Sequence, residues 1–312
     1  MSGPLLPEVL PTSSAAKGRV FRNTAFTWTF YASNLSTGCL FVVATPIGNL
    51  EDITYRAVRV LKEADAIACE DTRHTRKLLD HYGIDRPLLS YHEHNEAERT
   101  AQLLERLRDG RSIALVSDAG TPLISDPGYR VISAAAKEGI RIIPVPGPSA
   151  AIAALSASGL PTDAFRFCGF VPAKAGQRLR LFEALVDETA TLIFYEAPHR
   201  ILETLEAMRA PFRTRPVVIG RELTKMHEEL LRGTIESVAA ELAARPAVKG
   251  ELTILIGAGE RSAAEFTEPV RDAVKRFEAE GIPRMEAMKR VARERGLSKR
   301  DVYRELEIEA RE

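Results

Sequence analysis

The sequence predicts an α/β protein: two α/β domains with a cleft between them, followed by a small C-terminal helical module. Three observations predict this. Short apolar runs alternate with helix-patterned ones between Cys39 and Gly147, as βαβ units do. A second block of apolar runs, within 165–258, includes two neighbours too close together for a helix to intervene. Residues 261–312 are charged and helix-patterned, with no strand pattern.

In chain order, CLFVVAT (39–45) reads as a buried strand and 50–64 as a helix. DAIAC (65–69) is a second strand, 72–83 a helix, LLSY (88–91) a strand, and 96–109 a helix with Leu103, Leu104 and Leu107 on one face. SIALVSD (112–118), a helix over 127–138 and RIIPVP (141–146) complete a mostly parallel sheet covered on both faces. After an Ala-rich helix at 149–158, SGLP (158–161) breaks the chain. Five more strands follow at 165–171, 190–196, 215–222, 229–235 and 250–258, with helices at 175–187, 199–210 and 236–244. The expected divisions are 1–38, a disordered extension; 39–157, the first α/β domain; 158–260, the second, with a mixed sheet; and 261–312, the helical module.

Bulk properties narrow the class. The 312 residues are 45% hydrophobic, enough for one large core or two moderate ones. Basic and acidic side chains balance at 43 each, so any nucleic-acid surface must be local. Cys39, Cys69 and Cys168 are scattered, which argues against a disulfide framework or zinc site and fits a reducing cytoplasm. No apolar run approaches the roughly 18 residues of a membrane span. Residues 1–38 lack a continuous apolar core, so a secretory signal is disfavoured; a disordered extension or early start codon is preferred to a transit peptide. Between Arg284 and Arg304, eight basic residues stand against three acidic ones. These helices read either as a solvated cap or as an RNA-contacting appendage.

The chemistry-bearing stretches all follow strands. SDAGTPLISDPG (117–128) packs two carboxylates between Gly and Pro turns, which lets backbone amides approach a ligand while Asp118 accepts hydrogen bonds. VATPIGNLEDIT (43–54) turns similarly, yet no G-x-G-x-x-G or P-loop pattern occurs. PVPGPSAAIAAL (144–155) opens a helix with small residues, where amides and the positive dipole end are accessible. CEDTRHTRKLL (69–79) and SYHEHNEAER (90–99) cluster Glu, Asp, His and Arg, but without HExxH spacing they read as a polar cleft wall and not as metal ligands. FYEAPHR (194–200) and GRELTK (220–225) place Glu and Arg after strands of the second block, either as helix-terminal charges or as the other side of a shared cleft.

In chain order and spacing, six of these motifs, VATPIGNLEDIT, CEDTRHTRKLL, SDAGTPLISDPG, PVPGPSA, FYEAPHR and GRELTK, resemble the ribosomal-RNA-modifying members of the tetrapyrrole (corrin/porphyrin) methylase superfamily, over about 39–259. The resemblance implies that superfamily's two-domain fold, S-adenosylmethionine in the interdomain cleft, a homodimer, and 2′-O-methylation of a cytidine ribose in 16S rRNA of the small ribosomal subunit, near the decoding site. Carried onto the motifs, it implies cofactor contacts from Pro46, Asp118, Ala119, Gly120, Thr121, Ile124, Ser149, Ala150, Tyr195 and Thr253. Glu70, Asp71 and Glu93 are the candidate general bases. Arg73, Arg76, Lys77 and Arg200 are expected to face RNA, and no metal is expected. Two other readings compete: methylation of a corrin or porphyrin precursor, against which the charged clusters count, and a non-catalytic RNA-binding ribosome-assembly protein, which would not need the rigid 118–126 loop.

Overall fold

The computed structural model describes residues 38–259, 268–295 and 297–308; residues 1–37 of the expected extension lie outside the described residues. The first sheet contains β1 (Cys39–Val43), β2 (Ala66–Cys69), β3 (Leu88–Ser90), β4 (Ile113–Leu115) and β5 (Arg141–Val145), in the order β3-β2-β4-β1-β5. All four pairings are parallel. β2 and β4 are buried at every position, as expected where helices cover both faces. Those covers are α1 (Tyr55–Glu63), α2 (Thr72–His81), α3 (Glu96–Arg108) and α4 (Tyr129–Lys137). They form one core around Leu61, Ile67 and Leu79 and another around Leu104, Leu107 and Val131.

The expected helix over 50–64 is two elements. A 3₁₀ turn at Leu50–Asp52 precedes α1, because Asn49 and Thr54 both cap: the Glu51 amide donates to Asn49 Oδ1 (3.1 Å) and the Ala57 amide to Thr54 Oγ1 (3.1 Å). β4 is shorter than the apolar run that announced it. The Val116 amide still donates to Ala68 O, but the Ser117 carbonyl turns to the Thr45 hydroxyl and the chain leaves the sheet.

α5 (Ala150–Ser158) follows β5. Nearly apolar all round, it is buried by Ile193, Val218 and Leu255 of the second sheet, although the sequence assigned it to the first domain. That second sheet orders β6 (Phe165–Phe170), β7 (Thr191–Glu196), β8 (Val217–Arg221), β9 (Glu229–Gly233) and β10 (Leu252–Ile256) as β6-β7-β10-β8-β9. β6 and β7 are parallel and the other pairs antiparallel; the closely spaced β8 and β9 form a hairpin. α6 (Ala175–Glu183), α7 (Ile201–Phe212) and α8 (Ile235–Ala243) cover the face opposite α5, around Phe182, Phe194 and Phe212. α9 (Val270–Ala279), α10 (Arg284–Arg295) and α11 (Lys299–Ile308) bury Val274, Phe277, Met288 and Val302 against one another.

Candidate active site

Parallel strands deliver all their carboxyl-terminal loops to one edge of a sheet. Here that edge faces the second sheet across a cavity of about 400 Å³. Three loops of the first sheet are tied together at its wall. Thr45 and Gly120 exchange backbone hydrogen bonds (2.8 and 3.1 Å), the buried Thr45 hydroxyl donates to Ser117 O (3.1 Å), and Thr121 Oγ1 donates to Pro148 O ahead of α5 (3.1 Å). Gly120 has φ of +81°, and a Cβ there would stand 3.3 Å from Ile47 Cγ2, so the loop depends on glycine. Leu123 (φ 74°) and Ser125 (φ 69°) are also left-handed. Each such non-glycine residue costs about 1–3 kcal/mol and persists where the surroundings over-determine it, which clusters at functional sites.

The second sheet supplies the opposite wall. The Tyr195 hydroxyl accepts from the Ala151 amide (3.2 Å), so β7 caps the first turn of α5. Phe167 and Phe170 meet the Tyr195 ring edge-on at 5.0 and 5.5 Å; an irregularity in β6 between them turns Phe170 into the cavity. Glu196, at the end of β7, has a fully buried carboxylate that accepts from the Ala197 amide (2.7 Å), Thr204 Oγ1 and Arg200 Nη2, while Arg200 also donates to Val171 O (3.1 Å). The loop after β8 reaches across the cleft. The Asn49 amide donates to Thr224 Oγ1 (3.1 Å), and the Lys225 stem lies against Gly48 so closely that a Cβ there would fall 2.3 Å from Lys225 Cγ.

Four carboxylates gather where β2 and β4 end. Asp71 caps α2, accepting from the Arg73 amide (2.8 Å) and from its guanidinium, and these bonds hold its carboxyl down to about 2. Asp118 Oδ1 accepts from the Asp71 amide (3.2 Å). Burial pushes Asp126 up to about 6, with the charges of Glu70 and Asp118 adding to it, against a Ser117 hydrogen bond that lowers it. Glu70 is raised by its own burial and then by Asp118.

Of the residues expected at the cofactor, Asp118, Ala119, Gly120, Thr121, Ile124, Ser149, Ala150, Tyr195 and Thr253 line this one cavity. Pro46 is buried beneath the β1 loop, and its neighbour Ile47 takes the lining position. Glu70, Asp71 and Glu93 stand outside the lining; Glu93 is exposed. Arg73 and Lys77 are exposed on α2, and Arg76 lies 3.8 Å from Asp85. Arg200 departs from the expected outward cation: a buried carboxylate needs a counter-charge, and Arg200 supplies it to Glu196. The cavity wall also holds Asp126, Phe170 and Leu223, to which the sequence assigns no role, and Glu196, which it marks as a helix-terminal charge or as part of a shared cleft. Asp126 was legible as the second carboxylate of the 117–128 stretch, whereas nothing local marks Phe170.

The profile of the tetrapyrrole (corrin/porphyrin) methylases matches residues 39–239. A protein of Halalkalibacterium halodurans named ribosomal RNA small subunit methyltransferase I is 50% identical over 279 residues, covering 88% of this chain and 96% of its own. Its namesake in Mesorhizobium japonicum is 50% identical over 268 residues, covering 86% and 90%. Among solved structures, the cobalamin-biosynthetic enzyme cobalt precorrin-4 methyltransferase superposes with a TM-score of 0.53 at 18% identity, covering 70% of this chain and 94% of that one.

Proposed function

This chain belongs to the tetrapyrrole (corrin/porphyrin) methylase family and is a methyltransferase, and from that premise we propose that it methylates the 2′-hydroxyl of a cytidine ribose in 16S rRNA, near the decoding site, with S-adenosylmethionine as donor. One observation carries the reading: loops from the first sheet and strand ends from the second converge on a single cavity that combines apolar walls, small residues and carboxylates. Relatives half identical to this chain carry names that specify small-subunit ribosomal RNA, which supports that substrate class.

The cavity suits the donor. Its volume of about 400 Å³ falls in the usual range of roughly 300–1,000 Å³ for small-molecule sites. Ala119, Gly120 and Ala150 leave backbone amides approachable, and the first turn of α5 presents its positive end to an anionic carboxylate. Ile47, Ile124, Leu223 and Phe170 offer apolar surface for a flat base, and Asp118 offers negative charge to a cation. The bound donor supplies a methyl carbon that is already electrophilic on a sulfonium sulfur. The protein's part is therefore alignment, which can supply about 7–11 kcal/mol of the barrier, plus a proton acceptor for a weakly nucleophilic hydroxyl, worth about 10²–10⁴-fold.

The RNA face comprises Arg73, Arg76 and Lys77 on α2 together with the exposed Arg284, Lys289, Arg290, Arg300 and Arg304 of α10 and α11. The protein acts in the cytoplasm as a homodimer, which light scattering tests directly as twice the chain mass. The decisive experiment maps ribose methylation in 16S rRNA from a strain lacking the gene, with and without the wild-type copy. Loss and return of one cytidine 2′-O-methyl group is expected; an unchanged pattern overturns the proposal. Deleting residues 261–312 should weaken small-subunit binding in a salt-dependent way and leave donor binding intact, because α9–α11 bury their apolar side chains against one another. Equal loss of both would make the module structural.

A further inference from the structure

We propose that Asp126 is the proton acceptor of the methyl-transfer step, an inference that rests on the reading above. Most of the neighbouring carboxylates are engaged elsewhere or stand away from the cavity. Asp71 is consumed by the α2 cap and by Arg73. Glu93 is exposed, away from the cavity wall, and Glu70 stands outside the wall as well. Asp118 lines the cavity, but one of its oxygens already holds the Asp71 amide. Asp126 lines the cavity, half-buried, directly after the turn in which Leu123 and Ser125 are left-handed. The loop that carries it is pinned to β1 through the Thr45–Gly120 bridge, and at Ser125 it adjoins the Gly169 turn that delivers Phe170. Backbone conformations this unfavourable, spent to bring a carboxylate to a cavity wall, have a purpose if that carboxylate must be positioned accurately.

The surroundings suit a base. Glu70 at the end of β2 and Asp118 after β4 add negative charge at Asp126, and Tyr195 of β7 faces it from the second sheet. Glu70 is itself influenced by Asp71, His92 and Glu93. Burial and these neighbours raise Asp126 to about 6, which strengthens it as a base while leaving it ionised at neutral pH. The balance of the step is closed. As the 2′-oxygen lone pair forms the O–CH₃ bond, the C–S bond breaks with its electrons retained on sulfur, giving neutral S-adenosylhomocysteine. The hydroxyl proton passes to the Asp126 carboxylate, and from the protonated acid to solvent on product release.

The test is single-turnover methyl transfer with radiolabelled S-adenosylmethionine to small subunits lacking the modification, from pH 5.5 to 9. Wild-type rates should rise with pH through about 6 and then level. Asp126→Asn should lower the plateau about 10²–10⁴-fold and abolish the rise, with calorimetric S-adenosylmethionine affinity and subunit binding within about threefold of wild type. Asp126→Glu should retain intermediate activity with a displaced pH limb, and it serves as the second variant should the Asn form fold poorly by circular dichroism. An Asn variant as fast as wild type overturns the proposal. So does a more than tenfold loss of S-adenosylmethionine affinity that accounts for the rate, which makes Asp126 a cofactor contact. A wild-type enzyme that leaves the 2′-hydroxyl unmodified overturns the functional reading itself, and this inference with it.

Discussion

Removing the Glu196 carboxylate should be among the most damaging single changes outside the apolar cores. Its side chain is fully buried and serves three donors: the Ala197 amide, Thr204 Oγ1 and Arg200 Nη2. In Glu196→Ala, Thr204 is left as a buried hydroxyl without its acceptor, which costs about 1–3 kcal/mol. The Arg200 guanidinium, with 19% of its surface exposed, is left as a mostly buried charge facing no anion. Breaking one side of a buried pair typically costs about 3–5 kcal/mol in total. At about 2–4 °C per kcal/mol for large domains, the thermal midpoint should fall by about 6–20 °C. Differential scanning calorimetry of Glu196→Ala, Arg200→Ala and the double variant would measure this. The two single effects should not add, leaving a coupling of about 1–3 kcal/mol. S-Adenosylmethionine affinity should fall with Glu196→Ala as well, because Glu196 and Ala197 line the cavity. A single-variant loss below about 1 kcal/mol, or simple additivity, would show that the buried pair does not hold this end of β7.

Three further outcomes are expected. Thr45→Val removes the bond to the Ser117 carbonyl in a site only 1% exposed; it should cost about 1–3 kcal/mol and weaken donor binding in calorimetry, and an unchanged affinity would show that the β1–β4 loop tie is not needed by the cavity. The raised Asp126 has the opposite linkage to a salt-bridged carboxylate. Because its folded value of about 6 lies above the ordinary 3.8, it costs stability as pH rises from about 4 through 6, so Asp126→Asn should raise the thermal midpoint of unliganded protein at pH 7.5 and lose that advantage below pH 4; a gain that persists at pH 3.5 contradicts the linkage. Burial raises Cys39 to about 11 from an ordinary 9.0, so its thiolate should be about 100-fold scarcer at pH 8 and alkylation by iodoacetamide correspondingly slow; mass spectrometry showing Cys39 modified as fast as in denatured protein would refute this.

Much of the architecture could be read from local pattern. Uninterrupted apolar runs such as IAC at 67–69 and IALV at 113–116 announce strands covered on both faces, because only a doubly buried strand tolerates no polar side. The short interval between VVIGR and ELLRG already implied an antiparallel pair, since a crossover cannot fit. Four of the six motifs fell at strand ends of the first sheet, and in a parallel sheet those ends share one edge, so the gathering of these four was implied before any coordinates. Capping was half legible: Asn49 is a cap candidate for the helix expected over 50–64, but Thr54 also caps, which splits that helix into a 3₁₀ turn and α1.

The sequence by itself therefore determined the element order, the kind of each sheet, the family, and the stretches from which a site could be built, because these depend on residues close together in the chain. Only the tertiary structure decided that α5 lies on the second sheet, that Phe170 enters the cavity at an irregularity in β6, that Arg200 turns inward to Glu196, and that Asp126, set among Glu70, Asp118 and Tyr195, stands in the wall. Burial and charge proximity are sums over neighbours 50 or more positions apart along the chain, such as Glu70 at Asp126. A carboxylate's identity is written locally, but its desolvation, and with it its chemistry, exists only once the distant walls have closed around it.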